Sequence, residues 1–104
     1  MKLVNLTPNS IKLPSGKTIQ PSGFVARANT SYEKVGDVVG VPLVMSHVDS
    51  ISNVPDPKPD TLYIVPTVVR VALSFRDDVV SPCKLIRENG VVVGCSSFET
   101  NIAP

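Results

Sequence analysis

Turn formers cut this chain every few residues, and that punctuation limits what it can become. Ten of its 104 residues are proline. In the first thirty positions the β-prone runs Leu3–Leu6, Ile11–Leu13, Lys17–Ile19 and Phe24–Ala28 alternate with Pro8-Asn9-Ser10, Pro14-Ser15-Gly16 and Pro21-Ser22-Gly23. Proline inside a helix removes a hydrogen-bond donor and clashes with the preceding turn, so these segments predict short strands joined by turns. The Pro-Ser-Gly tripeptide recurs, but its two copies lie too close for a solenoid unit and fit similar turns flanking one strand.

Further along, Tyr32–Val39 and Val41–Val48 read as a second strand pair around Gly40, with Pro42 near a strand start or edge. The proline-rich run Asn53–Asp60 reads as an ordered surface loop. Leu62–Val65 suits a buried strand, and Pro66 can open a helix. From there Val65, Val68, Val69, Ala72 and Leu73 follow the spacing of one helical face, leaving Thr67 and Arg70 outward. Local propensity opposes this, because β-branched valines favour strands.

Asn89-Gly90 is a hairpin signal between Cys83–Arg87 and Val91–Cys95, since both residues tolerate positive φ. Two registers are open. A two-residue turn sets Cys95 opposite Lys84; a three-residue loop with a glycine bulge sets Cys83 opposite Cys95, the only register that allows a cross-strand disulfide. The whole predicts one mainly β domain over residues 1–104, a small barrel or sandwich of short antiparallel strands with one short α-helix near 66–74.

Composition narrows the function. A hydrophobic share of 42% against 18% charged belongs to a chain that folds rather than a disordered one. The net charge is +1 with no block of one sign, so neither DNA nor RNA is an expected partner. Polar residues and Pro8 interrupt the N-terminus before a signal-peptide core could form, and no apolar run approaches the ~18 residues of a membrane span. A cytoplasmic protein without a membrane partner is expected, with Cys83 and Cys95 kept as thiols that pack as small hydrophobes.

Catalytic chemistry finds little purchase. His47 is the only histidine and has no companions at metal-ligand spacing, so no metal and no cofactor is expected. Asp77-Asp78 could supply carboxylates, but neighbours on an extended chain point to opposite sides. Phosphate-binding glycine loops and a nucleophile elbow are missing. Gly94-Cys95-Ser96-Ser97-Phe98 offers amides and hydroxyls to an anion, though a strand ending in a turn explains it equally.

Five segments taken in order carry a resemblance: Val4-Asn5-Leu6-Thr7-Pro8; Pro21-Ser22-Gly23 followed by Val25-Ala26-Arg27; Gly40-Val41-Pro42-Leu43-Val44; Leu62-Tyr63-Ile64-Val65; and Arg76-Asp77-Asp78-Val79-Val80-Ser81-Pro82. Over nearly its whole length the chain resembles a family of small, largely uncharacterised proteins encoded by bacteriophages and prophages. After the tyrosine strand that family tends to read Ser-x-x-Val-Ala-x-Ala-Leu, where this chain has Pro66-Thr67-Val68-Val69-Arg70-Val71-Ala72-Leu73. The resemblance implies a phage product at work in the host bacterial cytoplasm.

Small phage proteins without catalytic motifs commonly act by binding. The first expectation is therefore a non-enzymatic anti-defence protein that sequesters a small anionic, nucleotide-like signal or masks a host protein. Its candidate contact groups are Asn5, Thr7, Arg27, Arg76, Asp77 and Asp78, the polar residues of the resembling motifs. A chain this short has trouble enclosing a ~300 Å³ pocket alone, and valine-rich strand edges invite a partner, so a homo-oligomer is expected. A virion structural or assembly protein is the second expectation. The third is a small hydrolase using Asp77 or Asp78 with His47.

Overall fold

In the computed structural model, which describes residues 1–104, the turns and runs resolve into eight strands and a helix. They are β1 (Lys2–Asn5), β2 (Ile11–Lys12), β3 (Thr18–Ile19), β4 (Arg27–Val38), β5 (Val41–Ser52), β6 (Thr61–Ile64), α1 (Thr67–Ala72), β7 (Val79–Glu88) and β8 (Val91–Thr100). The protein is mainly β with one short helix, as the sequence predicts. Six strands form one sheet in the order β1-β6-β7-β8-β2-β3. A parallel bridge between Asn5 and Pro21 joins the β1 edge to the chain leaving β3, and Ser22 N–H donates to the Asn5 carbonyl at 2.9 Å. The two edges of the sheet therefore meet, closing a small barrel.

The strands are neither all short nor all antiparallel. β1 pairs with β6, β6 with β7, and β2 with β8 in parallel. Parallel neighbours need a crossover, and here α1 carries the chain from β6 back to the start of β7. Periodicity reports which residues alternate, and it cannot report which strand lies beside which. Phe24 and Val25 lie outside any strand, and β4 starts at Arg27.

Alternation along the barrel strands separates two apolar clusters. Ile11, Ile64, Val80 and Cys95 are buried together, joined by Leu3, Ile19 and Phe98, so every barrel strand contributes to this inner face. On the outer face Tyr63, Val65 and Val79 pack with Leu6, Ala26 and Val69 beneath the helix. Pro66 precedes α1 with φ −59°, a value its ring imposes and a helix entrance accepts. The helix sits where expected but is turned differently: Val69 and Arg70 face inward, whereas Val68 is 51% exposed and Val71 58%. Arg70 can be buried because it is paired. Its Nε donates to the buried Ser81 hydroxyl at 2.8 Å, its Nη1 to Asn101 Oδ1 at 2.9 Å, and its Nη2 lies 3.3 Å from Glu99. Asn101 in turn donates to the carbonyls of Arg70, Leu73 and Arg76, satisfying the helix C-terminus.

The β7–β8 turn is Asn89-Gly90, both at positive φ (52° and 80°). Glu88 opposes Val91, but an irregularity between Ile86 and Arg87 shifts the ladder by one residue. Cys95 thus faces Leu85 and Cys83 faces Ser97, which is neither expected register. Both thiols are free, and burial pushes the Cys95 thiol above its usual range.

The remaining strands, β4 and β5, form a separate two-stranded sheet. Only its root meets the core, through Ala28 and Ile51. Beyond that pair it projects as an arm whose residues are almost all exposed. The radius of gyration is 16.1 Å, against ~13 Å for a compact chain of this length.

Candidate functional site

The residues singled out by the motifs fall into two structural pairs and two isolated side chains. Asn5 ends β1 and is 1% exposed. Its Nδ2 donates to the carbonyls of Asn9 (2.9 Å) and Ile19 (3.2 Å), while its Oδ1 accepts from Thr7 N–H (3.0 Å) and Thr7 Oγ1 (2.6 Å). Thr7 Oγ1 also reaches the Asn9 carbonyl at 3.1 Å. Every polar atom of this pair is engaged in holding the β1–β2 connection and the barrel seam.

Arg76 and Asp78 form the second pair. Arg76 Nε donates to Asp78 Oδ1 at 2.8 Å and Nη2 to Oδ2 at 2.6 Å, a two-pronged contact in which both side chains are largely buried. A further Nη2 bond reaches the Pro55 carbonyl, and the guanidinium stands 5.9 Å from the centre of the Tyr63 ring. Arg76 therefore clamps the proline-rich loop onto the outer core. Hydrogen bonding to Arg76 holds the Asp78 carboxyl below the usual carboxylate range against the opposing effect of burial. The same bonds raise the Arg76 guanidinium.

The sign of the pH effect follows. A folded-state pKa below the ~3.9 of an unpaired aspartate gives stability that is complete above that value and lost as pH falls through the depressed one. Wild-type melting temperature is thus expected to fall from about pH 5 downward. Asp78→Asn is expected to lose about 2 kcal/mol at neutral pH and to show a flatter acid limb. Parallel acid limbs in a pair of melting series would show that the clamp carries none of the pH dependence.

Asp77 is exposed beside this pair and Arg27 is exposed at the start of β4. His47 lies on the arm with Nε2 3.1 Å from Glu33 Oε2, and Asp49 accepts from Ser31. Neither Asp77 nor Asp78 is bonded to the imidazole, and Asp78 is already committed to Arg76. No three His, Cys, Asp or Glu side chains gather at metal-binding range, and no helix is long and apolar enough to cross a membrane.

Two hollows share Pro8 and Pro66 in their walls, beyond the ends of β1 and β6. One, of about 330 Å³, lies among Thr7, Ser10, Thr67 and Val92 and has no charged side chain in its wall. The other, of about 600 Å³, is a groove at the arm's root between Val25, Arg27, Thr30 and Val68, in which Arg27 is the one charged group. A polyanionic ligand needs several convergent cations, and neither hollow offers them.

The surface that stands out is the arm itself. The register pairs Lys34 with Val44, Tyr32 with Ser46 and Thr30 with Val48, so alternation lines Tyr32, Val44 and Val48 along the same face as the packed Ala28–Ile51 root. Leu43 and Met45 lie on the opposite face with Glu33 and His47. At the tip Val39 is 97% exposed with φ +50°, followed by Gly40 at φ +77°. A β-branched residue in the left-handed region is strained, and Asn or Asp would serve this turn better. On the arm Lys34 pairs with Asp37 at 3.3 Å and His47 Nε2 lies 3.1 Å from Glu33 Oε2. Of the six candidate contact residues only Arg27 belongs to this element, although the Gly40–Val44 motif segment lies in its tip and second strand. The valine-rich run from Tyr32 to Val48 was the available signal, and what hid its meaning is that alternation looks the same whether a face meets core or solvent. Compared with known proteins, the chain matches no family model, no curated protein and no solved structure.

Proposed function

We propose that this is a non-enzymatic binding protein whose working surface is the β4–β5 arm and whose partner is a protein surface rather than a nucleotide. The observation that carries the reading is an apolar arm left in solvent: Tyr32 is 71% exposed, and Val38, Val39, Val41, Val44 and Met45 are all more than half exposed. Apolar side chains gathered in solvent on one projecting element mark an interaction site, and a lone two-stranded hairpin is marginal in water until something covers it. Of the two binding modes expected for a phage protein in the host cytoplasm, protein masking suits this surface. Sequestration of a nucleotide-like signal has less support, because Arg76 is committed to Asp78 and Arg27 stands alone. Assembly within a virion is a second reading favoured by the same arm, since projecting hairpins can tie subunits together.

Native mass spectrometry of the protein recovered from bacterial cells tests the reading. Wild type is expected in protein complexes without a stoichiometric small molecule. Tyr32→Thr/Val44→Thr, which keeps β propensity but removes apolar area, is expected to lose them. A nucleotide-sized mass retained at one per chain and indifferent to these substitutions would overturn the proposal.

A further inference from the structure

The barrel seam is zipped at one end only. Lys2 N–H donates to the Asp60 carbonyl and Leu6 N–H to the Ile64 carbonyl. By strand alternation the main-chain groups of Lys2, Val4 and Leu6 therefore face β6, while those of Leu3 and Asn5 face the opposite edge. Ser22 N–H meets the Asn5 carbonyl there. Leu3 has no such partner, because contact between the two edges stops at the Asn5–Pro21 bridge and no ladder joins β1 to β3. Across the seam, Leu13 N–H donates to the Lys17 carbonyl, so Thr18, one residue on and opposite Lys12, turns its main-chain groups away from β2. A hollow of about 330 Å³ lies at this unzipped end, walled by Met1, Leu3, Lys17, Thr18, Ile19 and Gln20.

We infer that the hollow receives a short extended peptide that ends in a free carboxylate. An extended segment carries alternating N–H and C=O groups, the complement of what Leu3 and Thr18 leave unpaired, and strand addition at an open edge draws its affinity from such bonds. Met1, Leu3 and Ile19 give the wall an apolar part for the peptide's side chains. Lys17 is the one charged side chain in the wall, and no carboxylate of the protein lies within ion-pair distance of it. A lone cation beside open main-chain groups suits a chain-terminal carboxylate, whereas an internal segment would bring it no charge. None of these residues belongs to the β4–β5 arm, so the site is separate from the surface described above.

The probe is acetyl-Val-Thr-Val with a free carboxylate, titrated into the ¹⁵N-labelled protein and followed by amide chemical shifts. Saturable shifts are expected at Leu3, Thr18 and Gln20, with a Kd below about 1 mM. The same peptide with methylated backbone amides is expected to lose binding, and its C-terminal amide to bind roughly tenfold more weakly. Lys17→Gln alters an exposed side chain and is expected to bind acid and amide alike. Tyr32→Thr/Val44→Thr, which changes only the arm, is expected to bind the peptide as wild type does. Shifts that do not saturate, or that gather on other residues, overturn the inference. So does equal binding of the methylated peptide or of the amide by wild type, a preference for the acid that survives Lys17→Gln, or sodium acetate reproducing the shifts.

Discussion

Gly94→Ala is expected to cost roughly 3 kcal/mol or more, enough to leave a small domain largely unfolded under mild denaturant. Strand β2 is two residues long, and its link to β8 is the parallel pairing of Lys12 with Gly94. A methyl carbon at position 94 would fall onto the Lys12 carbonyl oxygen and stand 2.7 Å from both the Lys12 nitrogen and carbonyl carbon. Backbone cannot move aside as a flexible side chain can, so the two strands must separate. Separation would expose Ile11 and Cys95, which the inner face buries on either side of this contact. The nearby Lys12–Glu88 ion pair at 3.1 Å is exposed and would hold little of the loss. Urea unfolding followed by circular dichroism checks the result; a midpoint within experimental error of wild type would mean that the barrel tolerates an open β2–β8 seam.

Asn5→Ala is expected to have a similar effect, about 3 kcal/mol, because it removes four hydrogen bonds made by one buried side chain. The Ile19 carbonyl loses its amide donor and Thr7 N–H its acceptor, while Thr7 Oγ1 and the Asn9 carbonyl keep only the 3.1 Å bond to each other. Asn5→Asp separates the two halves of the side chain: it can still accept from Thr7 but, ionised, cannot donate to either carbonyl. It is therefore expected to be no more stable than alanine at neutral pH. If Asn5→Asp matched wild type in a thermal melt, the bonds to Asn9 and Ile19 would contribute nothing. A contact residue for an external ligand would behave differently, since its removal would lower binding and leave the melt unchanged.

What could be read from the sequence was local. Asn89-Gly90 makes its turn through the φ preferences of two adjacent residues, and Pro66 opens α1 for an equally local reason. The strand runs from Leu3 to Ile19 were visible because proline and glycine fence them. Contacts between distant segments were not visible. Arg70 looks like an outward residue on a helical wheel and becomes an inward one only because Ser81, Glu99 and Asn101 arrive from elsewhere in the chain. The motif residues Asn5, Thr7, Arg76 and Asp78 attracted attention as polar groups in recognisable segments. Their partners turn out to be one another and nearby backbone carbonyls, which is the ordinary fate of polar residues beside turns.

The seam between the two ends of the barrel also governs the order in which the chain can fold. β2 pairs with β8, so residues at the start of the chain have no partner on that side until nearly the last strand has been made. The β4–β5 hairpin needs only its own neighbours and closes on the microsecond scale of such turns. During synthesis both strands of the arm are therefore available for pairing while the barrel is still open, and refolding is expected to be limited by the search that brings Lys12 to Gly94 rather than by hairpin formation. Arms formed so early can meet arms on neighbouring nascent chains, where crowding along one message makes aggregation compete with closure of the barrel.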